Sequence, residues 1–205
     1  MRNRAVLGVL TLFAPLLGAT DSAAASEPSA EAQIAGALSA SPADRRDGAR
    51  VLGYDNAGKL VELRPGTNEL VCLADMPGDD QFRVACYHES LEAYMQRGRE
   101  LRAEGIDGAE NLDMRHAEAD AGRLEMPAAP AALYNLGGPI EIFDPTTGEV
   151  SGGHWVWSLY IPYATEASTG LPTTPQSPGA PWIMRPGTAS SHLMVVQPRQ
   201  EEPSD

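Results

Sequence analysis

Between residues 50 and 87, apolar and polar side chains alternate in short runs, each closed by turn chemistry. Val51-Leu52-Gly53-Tyr54 and the KLVELR run at 59–64 flank Asp55-Asn56-Ala57-Gly58, which is a hairpin signal. Pro65-Gly66 supplies the next turn, with proline and glycine at its two central positions. Residues 69–74 and 81–87 then give a third and a fourth strand around Met76-Pro77-Gly78-Asp79-Asp80. Successive strands on short turns predict an antiparallel meander.

The period then changes. Leu91, Tyr94, Met95, Gly98, Leu101 and Arg102 recur at helical spacing, apolar until the last member. Ser90 is a suitable N-cap and Gly105 a suitable stop. A weaker helical pattern covers 109–124, with Met114, Ala117, Ala121 and Leu124 expected on its buried side. Among its acids, His116 is expected to face solvent. Strand patterns return at 132–136, 140–143, 154–161, 181–185 and 192–197, and the Thr- and Pro-rich stretch 165–176 reads as a surface loop. The chain therefore predicts one α+β domain over 49–198. Its sheet is mainly antiparallel, with two helices inserted between an N-terminal and a C-terminal strand group that share one sheet.

The ends are different. Arg2 and Arg4 precede an apolar run at 5–17, and Ala23-Ala24-Ala25 offers small residues at both recognition positions for cleavage before Ser26. This is the form of a signal peptide over 1–25. The run is shorter than the roughly 20 residues a membrane span needs. No stable membrane insertion is expected after cleavage, and the expected location is periplasmic or secreted. Residues 26–48, rich in Ala, Ser and Pro, read as a flexible linker arm, in which 31–40 could form a short helix of thin apolar content, and 199–205 as a disordered acidic tail.

Composition narrows the choice of partner. The net charge is -13 and Lys59 is the only lysine, a balance that repels nucleic acid. Cys72 and Cys86 are the only cysteines, and in an exported chain they are expected to form a disulfide.

Candidate chemistry is sparse. His88-Glu89-Ser90-Leu91-Glu92 approaches a zinc-protease helix motif, but Glu92 stands where the second histidine is needed. The bland reading is a helix entry with acids near its positive end. No G-x-S-x-G occurs; Ser190 and Ser191 merely adjoin His192. Trp155 and Trp157 share one face of a strand, either packing in the core or lining a groove that stacks on sugar or peptide. The leading expectation is a non-enzymatic module binding a small ligand, glycan or cell-envelope partner through Trp155, Trp157 and His192, without a metal or cofactor. The alternative is an exported hydrolase or metal-dependent enzyme using His88, His154 or His192.

Two blocks carry a resemblance. Residues 62–68 (ELRPGTN) with Cys72, and residues 181–194 from Pro181-Trp182 through Gly187-Thr188 to His192-Leu193-Met194, resemble segments of uncharacterised secreted bacterial proteins. The resemblance implies export and a shared fold, and no activity. Within the chain, Leu63-Arg64-Pro65-Gly66-Thr67 is echoed by Met184-Arg185-Pro186-Gly187-Thr188, as a common turn used twice or as a repeated strand–turn–strand unit.

Overall fold

In the computed structural model, which describes residues 27–197, β1 (Arg50–Tyr54) and β2 (Leu60–Arg64) form the hairpin their alternation predicts. Asp55 holds its turn, Oδ1 accepting from the N–H groups of Ala57 and Lys59. The signal peptide expected at 1–25 and the tail expected at 199–205 lie outside the described residues.

The next step departs from a meander. β3 (Leu70–Leu73) lies on the other side of β1 and runs parallel to it. Residues 65–69 pass around the start of β1. Gly66 makes this possible: a Cβ there would stand 2.8 Å from the Arg50 nitrogen and Cβ. The wrap is tied down by polar contacts. The Arg64 guanidinium donates to the carbonyls of Arg46 and Ala49, and the Thr67 and Asn68 N–H groups donate to the Gly48 carbonyl. The Pro-Gly turn was expected to reverse the chain; the close approach lets it cross instead.

From β3 onward neighbours are antiparallel. β4 (Gln81–His88), β5 (Ala131–Pro139), β6 (His154–Tyr160), β7 (Trp182–Met184) and β8 (His192–Val196) complete one eight-stranded sheet in the order β2-β1-β3-β4-β5-β6-β8-β7. Both strand groups thus join a single α+β sheet. The expected strand at 140–143 is instead mostly a short 3-10 turn, Ile140–Ile142. The Arg-Pro-Gly-Thr echo is not a structural repeat. The first copy crosses β1, whereas the second joins neighbouring antiparallel strands with Arg185 and Gly187 both at positive φ.

Helices cover both faces. The arm expected at 26–48 instead carries α1 (Ala30–Leu38), capped by the Ser29 hydroxyl. Ala37 and Ala40 are fully buried over Val51, Cys72, Phe82 and Cys86. Its apolar content is thin because it approaches the sheet closely with small residues rather than reaching it with large ones. Gly36 abuts the Phe143 ring, where a Cβ would stand 2.7 Å away.

On the opposite face, α2 (Glu92–Ala103) buries Tyr94, Gly98 and Leu101 as its spacing predicts, and Tyr94 packs with Tyr87, Leu133 and Tyr160. α3 (Gly108–Asp120) follows, capped by Asp107. Its buried residues are Asn111 and Ala119, not the expected Met114 and Ala117. The reason is that α3 packs on α2 through polar groups. Asn111 donates to the Gly98 and Ile106 carbonyls, Arg115 lies over the Tyr94 ring at 4.2 Å, and Arg97 grips Glu118 with two nitrogens. A single turn, α4 (Glu166–Thr169), closed by a Thr165/Ser168 capping box, lies within the expected surface loop. Among the described residues no helix is long and apolar enough to cross a membrane.

Cys72 and Cys86 face each other directly across β3 and β4 and are disulfide-bonded. The bridge lies beneath α1, with Cys86 Sγ 3.4 Å from the Ala37 carbonyl oxygen.

Candidate functional site

α1 does not seal the face it covers. Between its N-terminal half, the end of β1 and the turn into β4 lies a cavity of about 340 Å³, at the small end of ligand pockets. Its floor is apolar. Phe82 and Phe143 stack there with ring centroids 4.9 Å apart, beside Gly36, Ala37 and Ile140. Its mouth is formed by exposed residues: Glu27, Pro77, Gly78, Asp79 and Pro145.

Each wall has a local cause. Gln33 fixes α1 over the strand end by pairing with the Tyr54 backbone, its Nε2 donating to the carbonyl at 2.9 Å and its Oε1 accepting from the N–H at 2.8 Å. Asp75 follows β3 and is held inward: its Oδ1 accepts from the Arg83 N–H at 2.7 Å. Asp79 turns the other way, accepting from the Gln81 N–H and pairing with the Arg83 guanidinium at 2.9 Å.

These positions set the charge. Burial pushes the Asp75 carboxyl up to about 6, with the nearby Asp79 charge adding to the effect against the Arg83 N–H. Asp79 is lowered, first by the Gln81 N–H and then by Arg83. The Tyr54 phenol is raised by burial and by Asp75. Three acids line the cavity, Glu27, Asp75 and Asp79, and no Lys, Arg or His is among its described lining residues. Perturbed groups in a concave apolar site are what a binding site presents.

The residues that sequence reasoning singled out lie elsewhere. Trp155 and Trp157 do share a face of β6, and that face divides: Trp155 packs against the core under α1, while Trp157 is 42% exposed. His192 is buried at the far end of β8 on the other face, stacked on Tyr160 at 4.9 Å. Its Nδ1–H donates to the Ser190 carbonyl at 2.7 Å, and burial lowers its basicity. Trp155, Trp157 and His192 therefore form no common site.

Nor do the three candidate histidines converge. His154 pairs with Gly137 at one end of β6 and His192 pairs with Tyr160 at the other, about 20 Å along the strand. His88 is on β4, three strands from β8, a separation of about 14 Å. Its Nδ1 accepts from the Ser90 N–H, so it caps the 3-10 turn Glu89–Leu91 that leads into α2. Among the described residues no group of three or more His, Cys, Asp or Glu is placed to hold a metal.

A histidine that sequence reasoning placed in solvent has a specific partner. His116 Nε2 and Ser190 Oγ are 2.6 Å apart, tying α3 to the loop before β8. Tyr163 and Arg185 flank this loop at positive φ, and the Tyr163 hydroxyl donates to Asp120. Serine and imidazole at this distance have the form of a nucleophile and its base, but Ser190 is fully buried. It serves as a tie between elements rather than a group presented to substrate. No signal in the sequence pairs these residues, which are 74 positions apart. Asp75 had a fainter one: an acid between the apolar end of β3 and a Pro-Gly-Asp-Asp turn. No family model, no curated protein and no solved structure matches this chain.

Proposed function

We infer that this chain is an exported, non-enzymatic module that binds a small apolar ligand in the cavity beneath α1. The observation that carries the reading is the Phe82–Phe143 floor left open under a helix that is otherwise packed on the sheet. An apolar cavity of this size with a few polar groups has the form of a small-ligand site. Export is supported by the signal-peptide pattern and by the disulfide, which suits an oxidising compartment. The enzyme alternative has only the His116–Ser190 pair to stand on, and the burial of Ser190 counts against it.

The test is occlusion. Pro77→Trp and Pro145→Trp each place an indole at the mouth, on exposed residues outside the core. Binding of Nile red, a neutral apolar dye, is expected at one site per chain and is expected to be lost in both variants. Unchanged dye binding in variants with unchanged circular dichroism would refute the site.

A further inference from the structure

We propose that the ligand of this cavity carries a cationic end, and that Asp75 is the counter-ion that selects a protonated amine on a short apolar body. The inference rests on the cavity reading above. It names the class of ligand the cavity takes.

Charge complementarity on an otherwise apolar surface favours a cation. The floor offers aromatic and aliphatic surface and no hydrogen-bond partner from a side chain. The polar groups lie on the walls and at the mouth, and all three charged residues among the lining are acids. A ligand with an anionic end would bring its charge against Glu27, Asp75 and Asp79. A neutral ligand would fill the floor and leave Asp75 without a cation in a partly desolvated site. An ammonium group resolves both, since it has donors only and carries the opposite charge. The net charge of the chain, -13, draws the same class of ligand toward the mouth.

The two aspartates are not equivalent. Asp79 already has a cation, the Arg83 guanidinium. Asp75 accepts from backbone N–H groups, Arg83 at 2.7 Å foremost, and has no ion pair among the described residues. It is therefore the acid with unused capacity. The groups that face it are Tyr54 at the end of β1, Asp79 and Arg83 across the turn into β4, and Glu27 ahead of α1. Only Arg83 among these is a cation, and its side chain is engaged by Asp79. Asp75 is protonated below about pH 6 and ionised above it. Capture of an amine that is cationic throughout this range should therefore strengthen as pH rises through 6.

The experiment compares octylamine, octanol and octanoate, which share a chain and differ in the head group, by calorimetric titration at physiological salt. The full exported chain, Asp75→Asn and the two mouth variants are titrated above and below pH 6. Octylammonium is expected to bind the unmodified chain at one site, more tightly than octanol by roughly tenfold to a hundredfold, the range of a hydrogen bond to a charged group. Asp75→Asn is expected to abolish that preference and its pH dependence while octanol binding persists. The asparagine keeps an acceptor for the Arg83 N–H, so the fold at this corner is retained.

Equal binding of octylammonium and octanol, or tighter binding of octanoate, would overturn the cationic assignment and leave the cavity reading standing. Octylammonium binding that survives in both mouth variants would place the amine on the acidic surface and overturn the assignment. Failure of all three compounds to bind would overturn the cavity reading itself.

Discussion

Asp75 shows how one side chain can be costly to the fold and useful to the site. Its carboxyl is pushed up to about 6 from an ordinary 3.8 because folding buries it. The folded chain thus holds this proton more tightly than the unfolded chain. The native state is penalised once Asp75 ionises, fully above pH 6, and the penalty is relieved as pH falls toward 3.8. Asp75→Asn, which cannot ionise, is expected to raise the thermal midpoint by a few degrees above pH 6, an effect of about 1 kcal/mol for a chain of this size. The gain should shrink as pH falls from 6 and vanish below 3.8, where the native side chain becomes neutral in both states. Melting curves across this range check the prediction, and a gain that grew on acidification would contradict it. The sequence shows an acid beside a Pro-Gly turn and not its burial. Asp75 shares its cavity with α1 and Phe143, which are far from it along the chain, and with Phe82 across the turn into β4. His116 was hidden for a related reason: its acidic neighbours indicated solvent, and its partner Ser190 arrives from the last loop of the sheet.

At the scale of elements, strands and apolar helices were legible and polar packing was not. α2 follows its pattern because its buried stripe is made of Leu91, Tyr94, Gly98 and Leu101, which periodicity can read. α3 is buried along Asn111 and Ala119, with Arg115 between them at the same spacing, and polar members conceal such a stripe from any apolar count. The docking of α1 on the sheet was not foreseen, because Ala32, Gly36 and Ala37, with Ala40 just beyond the helix, bury little area each and work by close approach. The polar seam yields a prediction opposite to the usual effect of added hydrophobicity. Asn111 is 2% exposed, and its Nδ2 donates to two carbonyls, Gly98 and Ile106, each at 3.0 Å. Asn111→Leu keeps much of the volume, adds apolar surface and leaves both carbonyls short of a donor. It is expected to destabilise the fold by about 1–3 kcal/mol, the cost of unsatisfied buried groups. Urea denaturation measures it. A neutral or stabilising leucine would show that the α2–α3 seam is held by area and not by hydrogen bonds.

For the whole molecule, the bridge that ties β3 to β4 and the contacts that build the cavity are separate devices. The sequence predicted the disulfide and the single sheet from export and from unpaired apolar faces. It did not predict that β3 crosses to the far side of β1, because this turns on the single close approach at Gly66. That crossing sets β3 between β1 and β4 and so brings the bridge under α1. Cys72 and Cys86 are separated by 14 positions, and closing such a loop restrains the unfolded chain by roughly 3 kcal/mol. Cys72→Ser with Cys86→Ser is therefore expected to lower the stability of the whole domain by about that amount in urea, as is reduction of the native chain. The cavity should respond less than the stability does. Its floor is set by Phe82 on β4 and by Phe143, packed on Gly36, and its clamp is the Gln33–Tyr54 pairing. None of these contacts includes a sulfur. Well below its denaturation midpoint, the double serine variant should thus keep the dye affinity of the native chain. Loss of dye binding under those conditions would mean that the bridge holds the native geometry of α1 directly, and that its role is not confined to the unfolded state.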